Sequence, residues 1–386
     1  MSDFVYLDFA ATTPLNPIVE QRIQDVHSAA FANPASNHIA GRQSAAVIDQ
    51  AAEQLGSLLN VDASTLLWTS GATESNNLAI LGAAKQREHR GRHLVTLRGE
   101  HKAVVDVFRA LEKQGFEVTW LDGDSDGFLS IDKLLEALRE DTQLVSVMHI
   151  NNEIGTEQDI ASIGAVCRER GITFHVDGAQ AAGKVPVDLS ALPVDLYSLT
   201  AHKFYGPKGI GALYIADNAA IEPLMFGGGQ QRRLRPGTLP VPLIAGLGQA
   251  AAVAADLIDA DLIALAKLKA QLATGLRDID GVYVNGPERD GYPGILNVGI
   301  ADIDGESLLL ALEPLCVATG SACNSQSTEP SYVLRSLGRS DAEAQSAIRF
   351  SFGRSTSSDD IQFAVAQYRS AVERLRSIAP GRLASA

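Results

Sequence analysis

The chain has 386 residues, a formal net charge of −14 and three cysteines. This length allows about two domains with a large buried core. The negative charge argues against nonspecific nucleic-acid binding, which needs clustered lysine and arginine. We recognise neither a secretory signal nor an apolar run long enough to span a bilayer. We therefore expect a cytoplasmic chain with no nucleic-acid and no membrane partner.

Short apolar runs recur roughly every 25 residues between residues 60 and 216. They are residues 65–68, 93–97, 116–121, 144–148, 172–176, 195–200 and 211–215. Most of the intervening segments have helical periodicity, which predicts an α/β fold with a mostly parallel, helix-covered sheet of seven strands. The turn at residues 206–209 is too short for a crossover helix, so we expect the last strand to pair antiparallel.

A smaller α+β domain is predicted after the sheet. Residues 249–278 form an Ala/Leu-rich segment, predicted as one long helix or two that bend, leading into this domain. Its strands are expected near residues 282–284, 294–298, 316–318 and 348–352, and its helices near 306–312 and 359–378. The predicted division is a large domain of residues 13–255 and a small domain of residues 256–386 together with 1–12.

Polar residues follow several of the predicted strands, where open parallel sheets bind ligands. Residues 69–74 have the small side chains that let a helix N-terminus close on an anion, although an ordinary cap would use the same residues. His101 suits ring stacking or proton transfer, or a cap. The paired amides of Asn151 and Asn152 could donate to a ligand oxygen or form a turn. Asp177 needs a cationic ring nitrogen or a helix N-terminus as partner.

Two basic side chains suit an amino-acid substrate and a carbonyl cofactor. Lys203 lies just past a strand end, in a stretch that also holds Thr200 and His202, and its amine is a candidate nucleophile or a surface charge. Arg349 lies on an alternating strand opposite the apolar face, where it suits bidentate capture of a carboxylate or a surface salt bridge. Thr238 closes a basic segment, which is either a solvated loop or a phosphate and interface contact.

The three cysteines are expected to differ. Cys167 and Cys316 lie in apolar segments and are predicted to be core residues. Cys323 lies among small polar residues with nothing to pack against, which predicts an exposed and reactive thiol. A lysine amine, a carboxylate for a ring nitrogen, phosphate donors, an arginine and a reactive thiol together indicate a pyridoxal-phosphate site acting on an amino acid.

The chain resembles the cysteine desulfurases, which are fold-type-I pyridoxal-phosphate enzymes of the class-V aminotransferase superfamily. The similarity extends over nearly the whole chain. Its motifs include Asn33-Pro-Ala-Ser36, Thr69-Ser-Gly-Ala-Thr-Glu-Ser75, Glu100-His-Lys-Ala-Val104, Asn151-Asn-Glu-Ile-Gly155, Gly237-Thr-Leu-Pro240, Gly320-Ser-Ala-Cys323 and Glu329-Pro-Ser-Tyr-Val-Leu-Arg335. The resemblance implies a homodimer that binds pyridoxal 5'-phosphate.

The resemblance also implies a role for each matching residue. Lys203 would hold the cofactor, Asp177 would pair with its pyridine nitrogen, Gln180 would contact its ring hydroxyl, and His101 would stack on the ring and move protons. The implied phosphate ligands are Ala72, Thr73, Thr200, His202 and, from the other subunit, Thr238. Asn152 and Arg349 would hold the substrate carboxylate, and Asn152 would also contact the cofactor.

Cys323 would attack the sulfur of L-cysteine, which yields L-alanine and an enzyme persulfide. The residues around Cys323 resemble the group that passes sulfur to iron–sulfur scaffold proteins or other acceptors, in which this cysteine can also transiently ligate a cluster. A cyst(e)ine C–S lyase or selenocysteine lyase of the same fold is the nearest alternative. A non-catalytic sulfur carrier or scaffold subunit is the alternative of another class.

Overall fold

A computed structural model describes residues 4–319 and 329–378. A seven-stranded sheet forms its centre, in the order β2-β8-β7-β6-β5-β3-β4. Its strands are β2 (Leu66–Thr69), β3 (His93–Leu97), β4 (Glu117–Leu121), β5 (Thr142–Met148), β6 (Thr173–Asp177), β7 (Leu196–Thr200) and β8 (Gly211–Ile215). Each of the seven apolar runs forms one strand, which confirms the predicted sheet.

The pairing within this sheet is parallel from β4 through β3, β5 and β6 to β7. Strand β8 is antiparallel to both β7 and β2, as the short turn at residues 206–209 predicted. Because the parallel strands all end at one edge, the residues that follow β3, β5, β6 and β7 are brought together there.

Helices cover the sheet because their apolar residues recur at helical spacing. The helices between the strands are α3 (Ala72–Gln86), α4 (Lys102–Lys113), α5 (Ile131–Ala137) and α6 (Ile160–Glu169). In α4, for example, Val104, Val107, Phe108 and Leu111 are buried in one stripe against the sheet.

Two helices precede the sheet and were not predicted from the sequence: α1 (Pro17–Ala29) and α2 (Ile39–Leu59). Helix α1 carries a recognisable start signal, since the Asn16 side chain accepts from the backbone N–H of Ile18 at 2.8 Å and Pro17 occupies the first turn. Both helices pack on α7 (Val241–Arg277), the single long helix that crosses the predicted domain boundary.

Helix α7 contains a stretch long and apolar enough to cross a membrane, contrary to the expectation from the sequence. Of that stretch, 56% is buried inside the protein. Length and apolar composition are shared by buried core helices, so this stretch is weak evidence for a span.

The chain after α7 forms a four-stranded sheet in the order β12-β13-β10-β9. Its strands are β9 (Val282–Asn285), β10 (Ile295–Ile300), β12 (Ala318–Thr319) and β13 (Ile348–Ser351). The N-terminal β1 (Val5–Tyr6) pairs in parallel with β11 (Leu315–Cys316). The remaining helices are α8 (Gly305–Ala311), α9 (Tyr332–Ser336), α10 (Asp341–Gln345) and α11 (Ser358–Ile378). The residue limits of the two domains stay a prediction.

The described cysteines match the expectation only in part. Cys167 is fully buried, and burial, with Asp195 nearby, raises the pKa of its thiol to about 12. Cys316 is half-buried rather than a core residue, and it ends the two-residue β11, which pairs with the short N-terminal β1. Cys323 lies outside the described residues.

Candidate active site

A cavity of about 530 Å³ opens where the parallel strands end, within the usual size range of small-molecule sites. We call it the central cavity. Among the described residues, its lining includes every predicted site residue except Thr238: Ala72, Thr73, His101, Asn152, Asp177, Gln180, Thr200, His202, Lys203 and Arg349. Residues Ala10, Ala11 and Thr12 of the N-terminal segment also line it.

The start of α3 forms one wall of the central cavity. No side chain among the described residues caps this helix, so the N–H groups of its first turn, at Ala72 and Thr73, suit an anion. Gly71 precedes them with φ +152°, and a Cβ there would lie 3.5 Å from the Thr200 hydroxyl. This contact would be an ordinary one, so the reason for glycine here is the backbone conformation, which L side chains rarely adopt.

The turn after β7 places Lys203 in the cavity. Its Nζ donates to the Ala10 carbonyl, which ties the lysine to the N-terminal segment. The neighbouring His202 shares a hydrogen bond between its Nδ1 and the Thr12 hydroxyl at 3.1 Å. Burial, reinforced by Lys203, Lys208 and Lys184, lowers the pKa of His202 to about 4. His202 is therefore a neutral hydrogen-bonding group at pH 7.

Asp177 ends β6 and is buried, with 4% of its surface exposed. Its Oδ2 accepts from Asn76 Nδ2 at 2.7 Å, and its Oδ1 accepts from the Ala179 N–H at 3.0 Å. Both neighbours donate, so each oxygen of Asp177 acts as a hydrogen-bond acceptor. Asn76 lies on α3, a full 101 residues away in sequence, and was not predicted as a site residue.

His101 caps α4 and faces the same cavity. Its Nδ1 accepts from the Ala103 N–H at 3.1 Å, so a neutral ring carries its proton on Nε2. Burial lowers the pKa of His101. The charge of Lys203 also lowers this pKa, whereas the charge of Asp177 raises it. His101 is therefore the N-terminal cap of α4, one of the alternatives that the sequence left open, and its ring also forms part of the cavity wall.

Gln180 is held from both sides. Its Nε2 donates to the Ala10 carbonyl at 2.8 Å, and its Oε1 accepts from Lys184 Nζ at 2.5 Å. Burial, together with the charges of Lys203 and Arg349, lowers the pKa of Lys184 well below its usual value. The contact fixes which end of the Gln180 amide is the donor.

Arg349 is buried, with 4% exposed, so the surface salt bridge that the sequence left open is not its role. Its Nη1 donates to the Asn152 carbonyl at 2.8 Å, and its Nη2 pairs with Asp8 Oδ1 at 2.7 Å. Its buried Nε has no hydrogen-bond partner in the described part of the chain. An anion entering the cavity would meet a guanidinium that is already oriented.

Asn151 and Asn152 divide the two roles that the sequence left open. Asn151 forms a turn, since its Oδ1 accepts from the N–H groups of Glu153 and Ile154. Asn152 lines the cavity. The polar residues after the strand indicated the position of this pair, and the resemblance implied that Asn152 is the one that serves the site.

Glu74 and Arg235 form a further pair that the sequence did not reveal. Arg235 Nε and Nη2 donate to the two carboxylate oxygens of Glu74 at 2.7 and 3.2 Å. Burial would raise the pKa of Glu74, but Arg235 and the Ser70 N–H outweigh it and lower the pKa. The pair joins the basic segment before Thr238 to the start of α3, although Thr238 itself is exposed and does not line the cavity.

Glu153 is buried beside Asn152. Its Oε2 accepts from the Ser331 hydroxyl at 2.6 Å. Burial raises its pKa to about 7, although Ser331 and Arg349 act in the opposite direction. No group of three or more His, Cys, Asp or Glu residues suited to a metal ion is found within residues 4–319 and 329–378; the expected ligand Cys323 lies outside that part.

Comparisons with known proteins agree with this geometry. The model of the class-V aminotransferase family matches residues 5–363. The cysteine desulfurase IscS of Photobacterium profundum is 48% identical over 381 residues, which cover 97% of this chain and 94% of that protein. A solved NifS-like protein superposes with a TM-score of 0.91 at 32% identity, covering 96% of this chain and 100% of the other. A structure described as SspA in complex with cysteine gives 0.79 at 38% identity, covering 90% and 98%.

The fold and the central cavity define an enzyme that depends on pyridoxal phosphate, and the chain belongs to the class-V aminotransferase family. Within that family it belongs to the cysteine desulfurases.

The residues present fit the cofactor. The uncapped start of α3 suits its phosphate, the buried Asp177 suits its pyridine nitrogen, and Lys203 supplies an amine on the same cavity.

Proposed function

We propose that the central cavity binds pyridoxal phosphate and L-cysteine together, and that Cys323 receives the sulfur as a persulfide. The observation that carries this proposal is the convergence of Lys203, Asp177 and Arg349 on one cavity. Lys203 offers an amine for the carbonyl of the cofactor, and Asp177 offers a buried carboxylate for its pyridine nitrogen. Arg349 offers a buried guanidinium for the carboxylate of an amino acid.

The cofactor would be held by Lys203 through Nζ, by Asp177 at the pyridine nitrogen and by Gln180 at the ring hydroxyl. When bound, pyridoxal phosphate supplies an electron sink for charge that develops at the substrate Cα. Ala72, Thr73, Thr200 and His202 would bind its phosphate. Because His202 is neutral, it contributes a hydrogen bond, and the helix start supplies the positive field.

His101 would stack on the ring and move protons. In the neutral form, favoured by burial, Nδ1 accepts from the Ala103 N–H and Nε2–H is the donor of the ring, so Nε2 could take up a proton only after the ring proton moves to Nδ1 and that hydrogen bond breaks. This assignment follows from one hydrogen bond and from the direction of the pKa shift.

Arg349 and Asn152 would orient the substrate carboxylate. The contacts of Arg349 with Asp8 and with the Asn152 carbonyl fix the guanidinium before substrate arrives, which lowers the entropy lost on binding. We also assign Asn152 a contact with the cofactor, because Asn152 lies on the same cavity.

The thiolate of Cys323 would attack the substrate Sγ. An S–S bond forms while the Cβ–S bond breaks, and the electron pair of the broken bond stays on the carbon side, which takes up a proton and leaves as L-alanine. The persulfide then passes its outer sulfur to an acceptor thiol.

The test is incubation of the holoenzyme with L-cysteine and a reductant, with alanine, pyruvate and sulfide measured together. We expect alanine and sulfide in equal amounts. Cys323→Ala should still bind L-cysteine but lose alanine release. Pyruvate as the main product would favour a C–S lyase, and undiminished alanine from the variant would contradict the assignment of Cys323.

We further propose that the enzyme is a cytoplasmic homodimer that supplies sulfur to an iron–sulfur scaffold or a similar acceptor, with Cys323 as a transient cluster ligand. The exposed Thr238 would reach the phosphate of the partner subunit. Phe226, which precedes the same basic segment, is 89% exposed, which suits an interface. Sedimentation at two protein concentrations tests the dimer, and sulfur transfer to a purified scaffold tests the acceptor.

A further inference from the structure

Helix α9 begins shortly after residues 320–328, and a buried contact holds its start. Ser331 caps the helix by accepting from the Leu334 N–H at 3.2 Å. The same hydroxyl donates to Glu153 Oε2 at 2.6 Å, and both residues are buried. The hydroxyl thus uses its donor and one acceptor position at once.

A second contact holds the next residue. The Tyr332 hydroxyl donates to the Glu100 carbonyl at 2.7 Å. Glu100 directly precedes His101, and its Oε1 accepts from the Met148 N–H at 2.8 Å. Glu153 directly follows Asn152. The start of α9 is therefore fixed to chain positions next to two predicted site residues.

The chain that precedes residue 320 pairs with the strand that carries Arg349, a residue of the central cavity. Ala318 and Thr319 form β12, in which Ala318 pairs with Arg349. On one side of residues 320–328 the chain is therefore paired with the cavity-lining Arg349, and on the other side Ser331 contacts Glu153, which follows the cavity-lining Asn152. Cys323 lies between these two points in sequence.

We propose that Ser331, Tyr332 and Glu153 are positioning residues for sulfur transfer, since they fix where the chain that carries Cys323 rejoins the ends of β3 and β5. The inference rests on the proposed function, in which Cys323 attacks the substrate sulfur. Attack by a thiolate needs reacting atoms about 3–3.5 Å apart, and an error of about 1 Å costs on the order of 10²-fold in rate. We therefore expect loss of the contacts that fix one end of this segment to slow persulfide formation. Binding of the cofactor and of L-cysteine should stay unchanged.

The experiment measures three quantities on each holoenzyme: cofactor content, L-cysteine binding from the change in cofactor absorption, and the single-turnover rate of persulfide formation on Cys323 by mass spectrometry. Ser331→Ala should keep the first two and lower the third by roughly 10- to 100-fold. Tyr332→Phe, which keeps the ring and is the less disruptive variant, should lower the rate by several-fold.

Glu153 gives a test of the contact from its other side. Glu153→Ala should slow persulfide formation as much as Ser331→Ala, and the double variant should be no slower than either, because both remove one contact. Glu153→Gln keeps an acceptor oxygen for the Ser331 hydroxyl and should therefore retain most of the unmodified rate of persulfide formation. Ser336→Ala is the matched control, since that hydroxyl donates to Val333 O within the same helix.

Normal persulfide rates in both Ser331→Ala and Tyr332→Phe would overturn this inference and leave the proposed function intact. An equal loss of cofactor, substrate binding and transfer would also overturn it, because that pattern indicates general damage. Alanine release by Cys323→Ser would overturn the proposed function and this inference together.

Discussion

Asn76 Nδ2 donates to Asp177 Oδ2 at 2.7 Å, and both side chains are buried, with Asp177 in the wall of the central cavity. The bond connects α3, whose first turn suits the cofactor phosphate, with the end of β6, whose carboxylate suits the pyridine nitrogen. The hydrogen bond therefore fixes the distance between the group expected to bind the phosphate and the group expected to bind the pyridine nitrogen. Asn76 itself is expected to contact neither end of the cofactor.

Replacement of Asn76 by leucine should weaken cofactor binding. The buried carboxylate of Asp177 would lose one of its two donors, and hydrogen bonds to charged groups contribute about 1.5–3 kcal/mol, so we expect the Kd for pyridoxal phosphate to rise roughly 10- to 100-fold. Absorption titration of the cofactor-free protein measures it. Asn77→Ala, whose side chain donates to Thr73 O in the same helix, should bind normally; an unchanged Kd in the leucine variant would contradict the role of Asn76.

Replacement of Arg235 by methionine should weaken the binding of the cofactor phosphate and leave the binding of the pyridine ring unchanged. It leaves the Glu74 charge uncompensated at the start of α3, so affinity for pyridoxal phosphate should fall by about 10-fold. Pyridoxal, which has no phosphate, should bind as before. The double variant Glu74→Gln/Arg235→Met removes both charges and should recover the affinity. Equal losses for both ligands would show that the pair supports the fold instead.

Replacement of Arg349 by lysine should raise the KM for L-cysteine with cofactor content unchanged. Lysine keeps the charge but cannot reproduce the guanidinium contacts with Asp8 and Asn152 while receiving a carboxylate. We expect KM to rise roughly 10- to 100-fold. Steady-state alanine formation measures it, with Arg277→Lys, an exposed arginine paired with Glu288, as control. A normal KM would remove Arg349 from substrate binding.

Glu153 should make stability fall as pH rises. Burial raises its pKa from 4.5 to about 7, so the stabilisation is complete below about pH 4.5 and is lost as pH increases through 7. The raised pKa corresponds to about 3 kcal/mol at most. Glu153→Gln should therefore melt several degrees above the unmodified protein at pH 8 and at the same temperature near pH 4.5.

The measurement is the melting temperature of Glu153→Gln and of the unmodified protein across this pH range. Titration of the other groups affects both proteins alike and cancels in the difference between the two melting temperatures. The exposed Glu20→Gln should show no such divergence. A constant offset between Glu153→Gln and the unmodified protein at all pH values would show that the carboxyl does not titrate there.

The strands were predictable because a buried parallel strand is a short apolar run between turn residues, as residues 144–148 illustrate. Helices α1 and α2 were missed although Asn16 and Pro17 mark a helix start. Most residues that line the central cavity were predictable because they end or follow a strand of the large sheet, whereas Arg349 lies within β13 and was indicated by the alternation of that strand. Partners such as Asn76 for Asp177 and Ser331 for Glu153 were not, since those pairs are 101 and 178 residues apart and ordinary in composition.

The N-terminal segment has a consequence for synthesis of the protein. Ala10 accepts from Lys203 and Gln180 through its carbonyl, and its N–H donates to the Ser351 hydroxyl at 2.9 Å, across 341 residues. On the ribosome Ala10 emerges before Ser351 and cannot make this contact until β13 has been synthesised. The nascent chain therefore cannot complete this wall of the central cavity before β13 has left the ribosome.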